Sequence, residues 1–548
     1  MNVIHNPVIP GTYPDPSICR VGDDYYLICS SFELYPGIPI FHSRNLADWT
    51  QIGNVMTAAN GFHVKANSLI GGVMAPTIRY SNGTFYIVNA NFSDKGNFVV
   101  TATDPAGPWS EPRWMTDVPG IDASVFFDDD GSAYVLGTGD VVDENGVKTR
   151  GIWMAGYDFE RMRRTTEPRP IWTCALRGAE APESPHLYRK DGWYYLVIAE
   201  GGTEHYHAVT VARSRELFGW YEGNPANPVM THRHLGMDAQ FVNIGHADLV
   251  DTPEGDWYAA MLGSRTIEGC HKNLGRETFV CPVEWQNDWP VFSPGTGKVE
   301  EEYPLPRGAE PGEGDAWADL DCDFADDGLP ARMVLWGTPY GDVYTVGNGK
   351  LELSCLARAI DQPVRCALDE CENARRDDCV AFAGFRQFTA DFVAECEMAF
   401  VPEGAETAGF LIMEACNHQY RLERSVGADG GQILSLVLTT TDMHGMLPHM
   451  PMFKGETVKE IVASVPYGRE TVVLRIEGRG QRLTFSYGPD SSHMQVLAAD
   501  QDAVRINPDI LAGTSGNLVG DFVGMYASGN GVDTGRKAVF TRFAYRAA

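Results

Sequence analysis

The sequence predicts an all-β protein in which an N-terminal five-bladed β-propeller is followed by a C-terminal β-sandwich. Runs rich in Tyr, Val, Ile and Phe recur between Gly, Asp and Asn turns, whereas long segments of helical periodicity are scarce. One phrase, an acidic or Gly turn followed by aromatic and aliphatic residues, occurs five times in the first part of the chain. The second part alternates apolar and polar residues instead, so the two parts are expected to be separate β domains.

Length and charge limit the classes of protein that fit. The 548 residues, 44% of them hydrophobic, can fill at least two cores. The chain has 43 Lys and Arg against 73 Asp and Glu, and its net charge of -30 would repel a phosphate backbone. Nucleic acid is therefore not expected as a partner.

Neither a membrane span nor a secretory signal is expected. No stretch approaches the roughly 18–20 apolar residues that cross a bilayer, and the first residues lack a basic start and an apolar run. The twelve cysteines are scattered, with several inside apolar runs, which is typical of buried thiols in a reducing compartment. We expect a cytoplasmic protein.

The five phrases start at turns about 50–60 residues apart, a spacing that suits four-stranded blades and places a propeller over residues 1–305. A short apolar run precedes each phrase, and the two together predict the first two strands of a blade, joined by a hairpin. The turns lie at Asp24, Gly83, Asp130, Gly192 and Gly255.

The register of these pairs predicts a shared site. The innermost strand of each blade lines the central channel, so corresponding residues should point at one axis. Like charges held together cost stability, and such a cost usually marks a functional site. The residues that begin the five upstream runs, and are expected to meet there, are Asp15, Ala75, Asp122, Glu183 and His246.

A Pro-, Gly- and Glu-rich stretch over residues 293–314 predicts the boundary between the domains, and we place a linker at 306–317. The sandwich is expected over 318–548. Within it, Phe392, Ala394 and Cys396 alternate with polar positions, as in a strand with one face in water.

Three acids at one axis point to glycoside hydrolysis. The reaction needs one carboxylic acid to protonate the leaving oxygen and one carboxylate to activate water or attack carbon. A third carboxylate can raise the pKa of the proton donor. Asp15 lies between two prolines and is expected to be held in extended geometry, which suits a base that aims water. Glu183 has the longest reach and is the candidate general acid.

Each of these residues also has a purely structural interpretation. An Asp before Pro is commonly a turn former, a Glu at a strand start is commonly solvated, and His246 alone would be a buried, hydrogen-bonded histidine. Structural acids have no reason to fall at corresponding places in three of five repeats, and this coincidence favours the functional interpretation.

Several motifs resemble glycoside hydrolase family 43, and in particular its two-domain β-xylosidases and α-L-arabinofuranosidases. The resemblance extends from about residue 5 to 300 through YPDPS, GGVMAP, IDASVF, APESPH, GHADLV and GRETF. The later segment DFVGMYASGNG resembles the end of that group's C-terminal domain. The resemblance implies that the sandwich is a concanavalin A-like jelly roll.

The resemblance also implies roles for the acids. Asp15 corresponds to the general base, Asp122 to an acid that modulates the pKa of the proton donor and orients it, and Glu183 to the general acid. The family inverts anomeric configuration, which implies acid and base separated by roughly 6.5–9.5 Å.

Further residues match positions of the substrate pocket. Arg276 is implied to bind substrate near the acid, and Phe32, Ala75 and Thr203 to line the pocket. His246 matches a central histidine that in some members helps hold a metal ion, often calcium.

Two positions depart from the family pattern. Met74 stands where relatives usually carry Trp, and Leu34-Tyr35 replaces a Trp-Phe pair. The loss of an indole removes a flat apolar wall from the pocket, so the preferred sugar can differ from that of relatives. In relatives the sandwich lends an aromatic residue to the pocket rim, and here Phe522, with Leu518 before it, is the expected donor.

The expected function is that of an inverting, exo-acting glycoside hydrolase that releases terminal pentose from xylo-oligosaccharides or arabinoxylan fragments, as a β-1,4-xylosidase. An α-L-arabinofuranosidase with the same three acids is the alternative enzyme, and a non-catalytic carbohydrate-binding propeller is the alternative of another class. No organic cofactor is implied, calcium at His246 stays open, and a homo-oligomer is compatible with the sequence.

Overall fold

The structure is a computed structural model. It describes residues 2–66, 69, 71–92, 94–142, 146–312, 317, 319–362, 379–442, 456–506 and 518–548. Among these residues no helix is long and apolar enough to cross a membrane. Two short 3-10 helices are described, at Ala58–Asn60 and Ala503–Ile506.

The first part of the chain is built from short strands that follow the predicted repeats. In chain order they are β1 Val3–His5, β2 Ser17–Val21, β3 Asp24–Ile28, β4 Leu34–Tyr35, β5 Gly37–Ser43, β6 Thr50–Met56, β7 Val73–Ser81, β8 Thr84–Asn91, β9 Gly96–Ala102, β10 Arg113–Trp114, β11 Ile121–Phe127, β12 Ala133–Val142, β13 Lys148–Asp158, β14 Arg163–Arg164, β15 Arg169–Trp172, β16 Glu183–Lys190, β17 Trp193–Glu200, β18 Ala208–Ser214, β19 Glu222–Gly223, β20 Phe241–Asp251, β21 Trp257–Arg265, β22 Glu277–Gln286, β23 Trp289–Phe292 and β24 Glu302–Pro304.

These strands form five antiparallel sheets in sequence order, which confirms the five-bladed propeller. Blade 1 contains β2, β3, β5 and β6, blade 2 contains β7 to β10, and blade 3 contains β11 to β15. Blades 4 and 5 contain β16 to β19 and β20 to β23. The first two strands of every blade pair as neighbours, as the repeated phrases predict.

The N-terminal segment closes the ring against blade 5. β1 pairs with β24, and Ile9 bridges to Thr278 of β22. The side chain of Asn6 donates to the carbonyl of Val280 and accepts from its N–H, each at 2.9 Å. The chain start is thereby fastened to the last blade, and the β1–β24 pairing adds a second connection.

The predicted linker lies against the propeller where it is described. The N–H of Gly312 donates to Asp48 at 3.2 Å, and the indole of Trp317 donates to the carbonyl of Val8 at 3.1 Å. The boundaries at 305/306 and 317/318 stay predictions, and Ala318 lies outside the described residues.

The second part of the chain is a sandwich of two antiparallel sheets. Its strands are β25 Leu320–Cys322, β26 Met333–Trp336, β27 Tyr344–Gly347, β28 Lys350–Ser354, β29 Ala381–Arg386, β30 Phe392–Ala399, β31 Thr407–Ala415, β32 His418–Val426, β33 Gln432–Asp442, β34 Glu456–Pro466, β35 Thr471–Arg479, β36 Arg482–Gly488, β37 Gln495–Asp502, β38 Phe522–Ser528 and β39 Lys537–Ala547.

One sheet of the sandwich has the order β34-β33-β32-β31-β38-β29-β26-β4. Its edge strand β4 comes from the propeller part of the chain, and Leu34 of β4 pairs with Trp336 of β26. The other sheet runs β27-β28-β39-β30-β35-β36-β37, with β25 beside β39. The shared sheet joins the two domains directly beside blade 1.

The contact between the domains is apolar and close. Phe32 and Leu34 of the propeller belong to one buried cluster with Met413 and Phe522 of the sandwich. A Cβ added at Gly520 would lie 2.5 Å from the backbone N of Gly275. The two backbones are therefore so close that only glycine fits between them. The segment before β38 is therefore held against the loop that leads into β22.

Candidate active site

A β-bulge lies near the start of the innermost strand in blades 2 to 5, where the pairing with the second strand skips two residues. The first bulged residue has a left-handed backbone with φ of 50–52°. These residues are Ala75, Asp122, Ser184 and His246, and Asp15 has φ 56° just before β2. Bulges of this kind re-aim side chains beside active sites.

The bulge corrects the predicted register of blade 4. Glu183 pairs with Ala199 as the residue before the bulge, as Ile121 does in blade 3. Ser184, not Glu183, therefore corresponds to Asp122. The sequence could not show this, because Asp, Ala, Ser and His all occupy the left-handed position and no residue type marks it.

The backbone of Asp15 also differs from the prediction. Proline neighbours favour extended geometry, but φ of Asp15 is 56°, in the left-handed region. Its carboxylate oxygens are held by the Ser30 hydroxyl at 2.5 Å and by Nη1 of Arg276 at 2.9 Å. These tertiary contacts stabilise a backbone conformation that local preference alone disfavours.

The electrostatic setting of Asp15 keeps it ionised. Burial on its own would raise the pKa of this carboxyl, but Arg276, His246 and the Ser30 hydroxyl together hold the pKa below its usual value. Nδ1 of His246 lies 3.7 Å from the carboxylate. Asp15 is therefore a buried carboxylate at neutral pH.

Glu183 is positioned by its neighbours in the chain. The N–H of Ser184 donates to Asp122 at 3.1 Å, and the hydroxyl of Thr138 donates to the carbonyl of Pro182 at 3.0 Å. Blade 3 thus holds the backbone on both sides of Glu183. Asp122 reaches Glu183 through this backbone bond as well as through charge.

The pKa values of Glu183 and Asp122 are both raised. Burial is the main cause for each, and the charge of Asp15 adds to it. Glu183 raises the pKa of Asp122 further, whereas Arg150 lowers both values. The two carboxyls titrate as a pair, which retains a proton at a higher pH than an isolated carboxyl would.

Arg276 connects the acids to the pocket wall. Its Nη1 also donates to the Thr203 hydroxyl at 2.9 Å, and Nε and Nη2 donate to the carbonyl of Leu518 at 3.3 and 3.1 Å. Its guanidinium carbon lies 5.9 Å from the centre of the Phe32 ring. The structure thus brings three of the predicted substrate-binding residues, Phe32, Thr203 and Arg276, together around Asp15.

Ala75 is linked to Asp15 through Ser30, and Met74 precedes Ala75 in β7. The N–H of Ala75 donates to the Ser30 hydroxyl at 2.7 Å, and that hydroxyl in turn donates to Asp15. Met74 precedes the bulge of blade 2, at the position that Glu183 has in blade 4. Its side chain is half-buried against the cluster that contains Phe32.

Phe522 does not reach the pocket rim as expected. Its side chain is 0% exposed, within β38 between Arg386 of β29 and Met413 of β31. A ring buried on all sides offers no face to a sugar. The sandwich contacts the site instead through the carbonyl of Leu518.

His246 faces Asp15 and is buried. Burial lowers the pKa of its imidazole, so the ring is neutral at neutral pH despite the nearby carboxylate. Within the described ranges, no three His, Cys, Asp or Glu side chains are grouped as metal ligands. The residues around His246 therefore do not fit a metal site built from side chains alone.

Sequence reasoning missed several residues of the site. Ser30 orients Asp15, and Arg150 acts on both raised carboxyls. Deeper on the axis, Arg79 forms a buried ion pair with Asp248 at 2.8 Å. Arg79 and Arg150 gave no signal in the sequence, because only the closed ring brings strands of different blades together. Ser30 lies just after β3 of blade 1, where no local pattern marks it.

Comparison with known proteins agrees with the predicted family and with the observed fold. Residues 4–290 match the sequence model of glycosyl hydrolases family 43, and residues 321–546 match the beta xylosidase C-terminal concanavalin A-like domain. The chain is 38% identical over 540 residues to a xylosidase/arabinosidase of Butyrivibrio fibrisolvens, covering 97% of each. It is 32% identical to a non-reducing end alpha-L-arabinofuranosidase of Bacteroides ovatus, covering 99% of this chain and 94% of that one.

Similarity extends to solved structures. The crystal structure of a xylan beta-1,4-xylosidase from Bacillus halodurans superposes with a TM-score of 0.85 at 27% identity, covering 99% of this chain and 100% of the other. Both domains are therefore shared with that structure.

Proposed function

The chain belongs to family 43 of the glycosyl hydrolases, and from this and the site geometry we propose that it is an inverting, exo-acting glycosidase that releases terminal pentose. β-1,4-Xylosidase activity on xylo-oligosaccharides or arabinoxylan fragments is the leading assignment. The proposed catalytic groups are Asp15 as general base, Glu183 as general acid and Asp122 as the modulator of its pKa.

The observation that carries this proposal is the opposite direction of two pKa shifts. The carboxyl of Asp15 has a lowered pKa although the residue is buried, whereas the half-buried Glu183 has a raised one. Two carboxyls whose environments push their pKa values apart serve as base and acid in one reaction. Glycosidic hydrolysis requires that pair.

The proposed reaction follows from these states. Glu183 donates its proton to the glycosidic oxygen as the bond to the sugar breaks. Asp15 takes a proton from a water that attacks the anomeric carbon from the other face, so the configuration is inverted. Burial and the charge of Asp15 favour the protonated donor, and Asp122 fixes the backbone of the donor through the N–H of Ser184.

The exo mode is supported by the way the sandwich closes one side of the site. Arg276, which contacts Asp15, is also bonded to Leu518 of the sandwich part, and the residues after Phe32 continue into strand β4 of the sandwich sheet. These two contacts beside the acids support a pocket for a chain end over an open groove.

An α-L-arabinofuranosidase is the second candidate. The relatives named above include both activities, and Met74 stands beside the site where a larger flat side chain would narrow it. The catalytic groups are the same for both, so only the pocket shape separates the two sugars.

The test is hydrolysis of 4-nitrophenyl β-D-xylopyranoside and 4-nitrophenyl α-L-arabinofuranoside alongside xylobiose, with Glu183→Gln as the comparison. We expect the wild type to cleave at least one aryl substrate. The variant should lose more activity on xylobiose than on aryl glycosides, because nitrophenolate leaves without a proton. Proton NMR of the first product should show the inverted anomer, and a retained anomer would contradict the role of Asp15.

A further inference from the structure

The loop between β21 and β22 of blade 5, residues 266–276, ends with Arg276. Within it, the N–H of Gly275 donates to the carbonyl of Lys272 at 2.8 Å, so the last residues form a tight turn. Nη1 of Arg276 donates to Asp15 at 2.9 Å, and whatever fixes this loop therefore fixes a cation beside the reacting groups. We call residues 266–276 the arginine loop.

Asn273, inside that turn, is hydrogen-bonded to three separate segments of the sandwich. Its side-chain Nδ2 donates to Oδ2 of Asp521 at 3.0 Å and to the carbonyl of Ala503 at 3.4 Å. Its Oδ1 accepts from Nε2 of Gln481 at 2.8 Å, and its backbone carbonyl accepts from the N–H of Asp521 at 2.7 Å. The arginine loop is thus fastened to the second domain at this residue.

The amide of Asn273 suits this place because it offers a donor and an acceptor at once. The partner Gln481 presents an N–H group, whereas Asp521 and Ala503 present oxygens. Asn273 is 3% exposed and Gln481 is 4% exposed, so water does not replace a lost partner readily. An apolar residue of similar size at position 273 would leave polar groups of both domains unpaired.

Asn273 and Arg276 contact the two ends of one short sandwich segment, residues 518–521. At one end the carbonyl of Leu518 accepts from Nε and Nη2 of Arg276 at 3.3 and 3.1 Å. At the other end Asp521 bonds to Asn273 through its backbone and its side chain. Two attachments three residues apart hold the arginine loop in one orientation, because a single attachment leaves a loop free to pivot about it.

The position of Arg276 matters because its guanidinium serves several partners together. Nη1 donates both to Asp15 and to the Thr203 hydroxyl, at 2.9 Å each. A misplacement of about 1 Å in an active site can cost about 10²-fold in rate. A shift of the arginine loop by that amount would lengthen both contacts.

We propose that Asn273 is a positioning residue, through which the sandwich fixes Arg276 against Asp15. The described hydrogen bonds of its side chain run to the sandwich, so its effect on the acids passes through Arg276. The sandwich then sets the geometry of the general base in addition to closing one side of the pocket. This inference rests on the proposed function, because it names what holds Asp15 ready for that reaction.

The test is the pH profile of kcat/KM on xylobiose for Asn273→Leu and Gln481→Ala. Asn273→Leu keeps the volume and removes donor and acceptor, whereas Gln481→Ala removes the partner on the sandwich side. Both should move the acidic limb to higher pH by about 0.5 pH unit or more, because a displaced guanidinium favours the ionised Asp15 less. In an Arg276→Gln background, Asn273→Leu should move the limb no further.

Thr338→Val is the matched control in another part of the domain contact. The Thr338 hydroxyl accepts from the N–H of Val64 at 2.9 Å, and valine keeps the shape but removes this bond between the domains. The control should be less stable in urea, with its acidic limb at the wild-type pH. Hydrogen–deuterium exchange should be faster in the arginine loop of Asn273→Leu and Gln481→Ala, and unchanged there in Thr338→Val.

If Asn273→Leu and Gln481→Ala lose stability while the acidic limb stays at the wild-type pH, Asn273 only supports the fold and the proposal is overturned. If Asn273→Leu does not fold, Gln481→Ala decides. Should the wild type cleave no pentoside, the proposed function fails, and hydrogen–deuterium exchange then decides. Faster exchange of residues 266–276 in Gln481→Ala would support the positioning role, and unchanged exchange would overturn it.

Discussion

Two buried aspartates of this chain have opposite protonation behaviour. Asp15 at the propeller axis is 5% exposed and Asp521 at the edge of the sandwich is 1% exposed. Burial favours the neutral acid at both places, yet the pKa of Asp15 is lowered and that of Asp521 is raised to about 8. Asp15 contacts the guanidinium of Arg276, whereas Asp521 accepts from the neutral amide of Asn273 at 3.0 Å. Burial alone therefore does not determine whether an acid is ionised. The presence or absence of a nearby cation determines it here.

A second acid strengthens the contrast. Glu414 of β31 is fully buried, and neither of its carboxyl oxygens has a hydrogen-bond partner in the structure. Burial, with Asp521 nearby, raises its pKa well above the usual value. The sandwich thus holds neutral acids at its contact with the propeller, whereas the axis holds the ionised Asp15 beside two carboxyls with raised pKa values.

The largest expected effect compares Asp15→Asn with Asp521→Asn. Removing a general base should lower kcat by about 10²–10⁴-fold, whereas Asp521 touches no reacting group. Initial rates on xylobiose at saturating substrate measure both variants. Equal losses in the two would show that Asp15 matters only for folding.

The second prediction removes the cation beside Asp15, so that the surroundings of Asp15 become similar to those of Asp521. Arg276→Gln leaves a buried carboxylate without its cation, which should lower the free energy of unfolding by about 3–5 kcal/mol at pH 7. The pKa of Asp15 should rise, so the acidic limb of the kcat/KM profile moves to higher pH. Arg265→Gln is the matched control, because Arg265 pairs with buried Glu277 away from the acids at 2.7 Å. The Arg265→Gln variant should be less stable than the wild type, but the acidic limb of its kcat/KM profile should stay at the same pH.

The third prediction concerns stability against pH. Asp521 keeps its proton up to about pH 8 when folded but loses it near pH 4 when unfolded, so its contribution to stability is lost as the pH rises toward 8. Asp521→Asn should match the wild type at pH 5 and exceed it at pH 8.5 by on the order of 1–3 kcal/mol. Urea unfolding at the two pH values measures this, and a variant less stable at pH 8.5 would contradict the raised pKa.

The smallest expected effect comes from Arg150, an exposed residue of β13. Arg150 lowers the pKa of Glu183, so Arg150→Gln should raise it and move the alkaline limb of kcat/KM to higher pH. We expect the rate at the optimum to change by less than about tenfold, since the acid itself is intact. Lys148→Gln in the same strand, whose ammonium pairs with Asp140 at 2.8 Å, should leave the limb in place. If the alkaline limb of Arg150→Gln stays at the wild-type pH, Arg150 does not influence the pKa of Glu183.

The repeats predicted the propeller well, because each blade is a local unit. A turn such as Asp130-Gly131 with its flanking strands is visible within about a dozen residues, and five such units leave few alternative architectures. Asp15 and Asp122 were identified for the same reason, since Asp15 lies just before an innermost strand and Asp122 is the second residue of one. Glu183 was found by motif and by its approximate position, but its register was one residue out, because a bulge depends on the pairing with the next strand.

Contacts between distant segments lay outside what the sequence could predict. Phe522 was expected at the rim and lies buried, since the pairing of β38 between β29 and β31 decides which way its ring points. The transfer of β4 into the sandwich sheet has no local sign either, because Leu34 and Tyr35 would suit a strand of the propeller equally well.

The sequence by itself determined the repeats, the number of blades and the candidate acids, because strand periodicity and turn chemistry act over a few residues. The tertiary structure alone decided which acid is ionised. Arg276 is 261 positions from Asp15 in the chain, and Arg150 belongs to a different blade from Glu183. Charge interactions act through space at a few ångströms, so the pKa of each carboxyl follows from ring closure rather than from its neighbours in the chain.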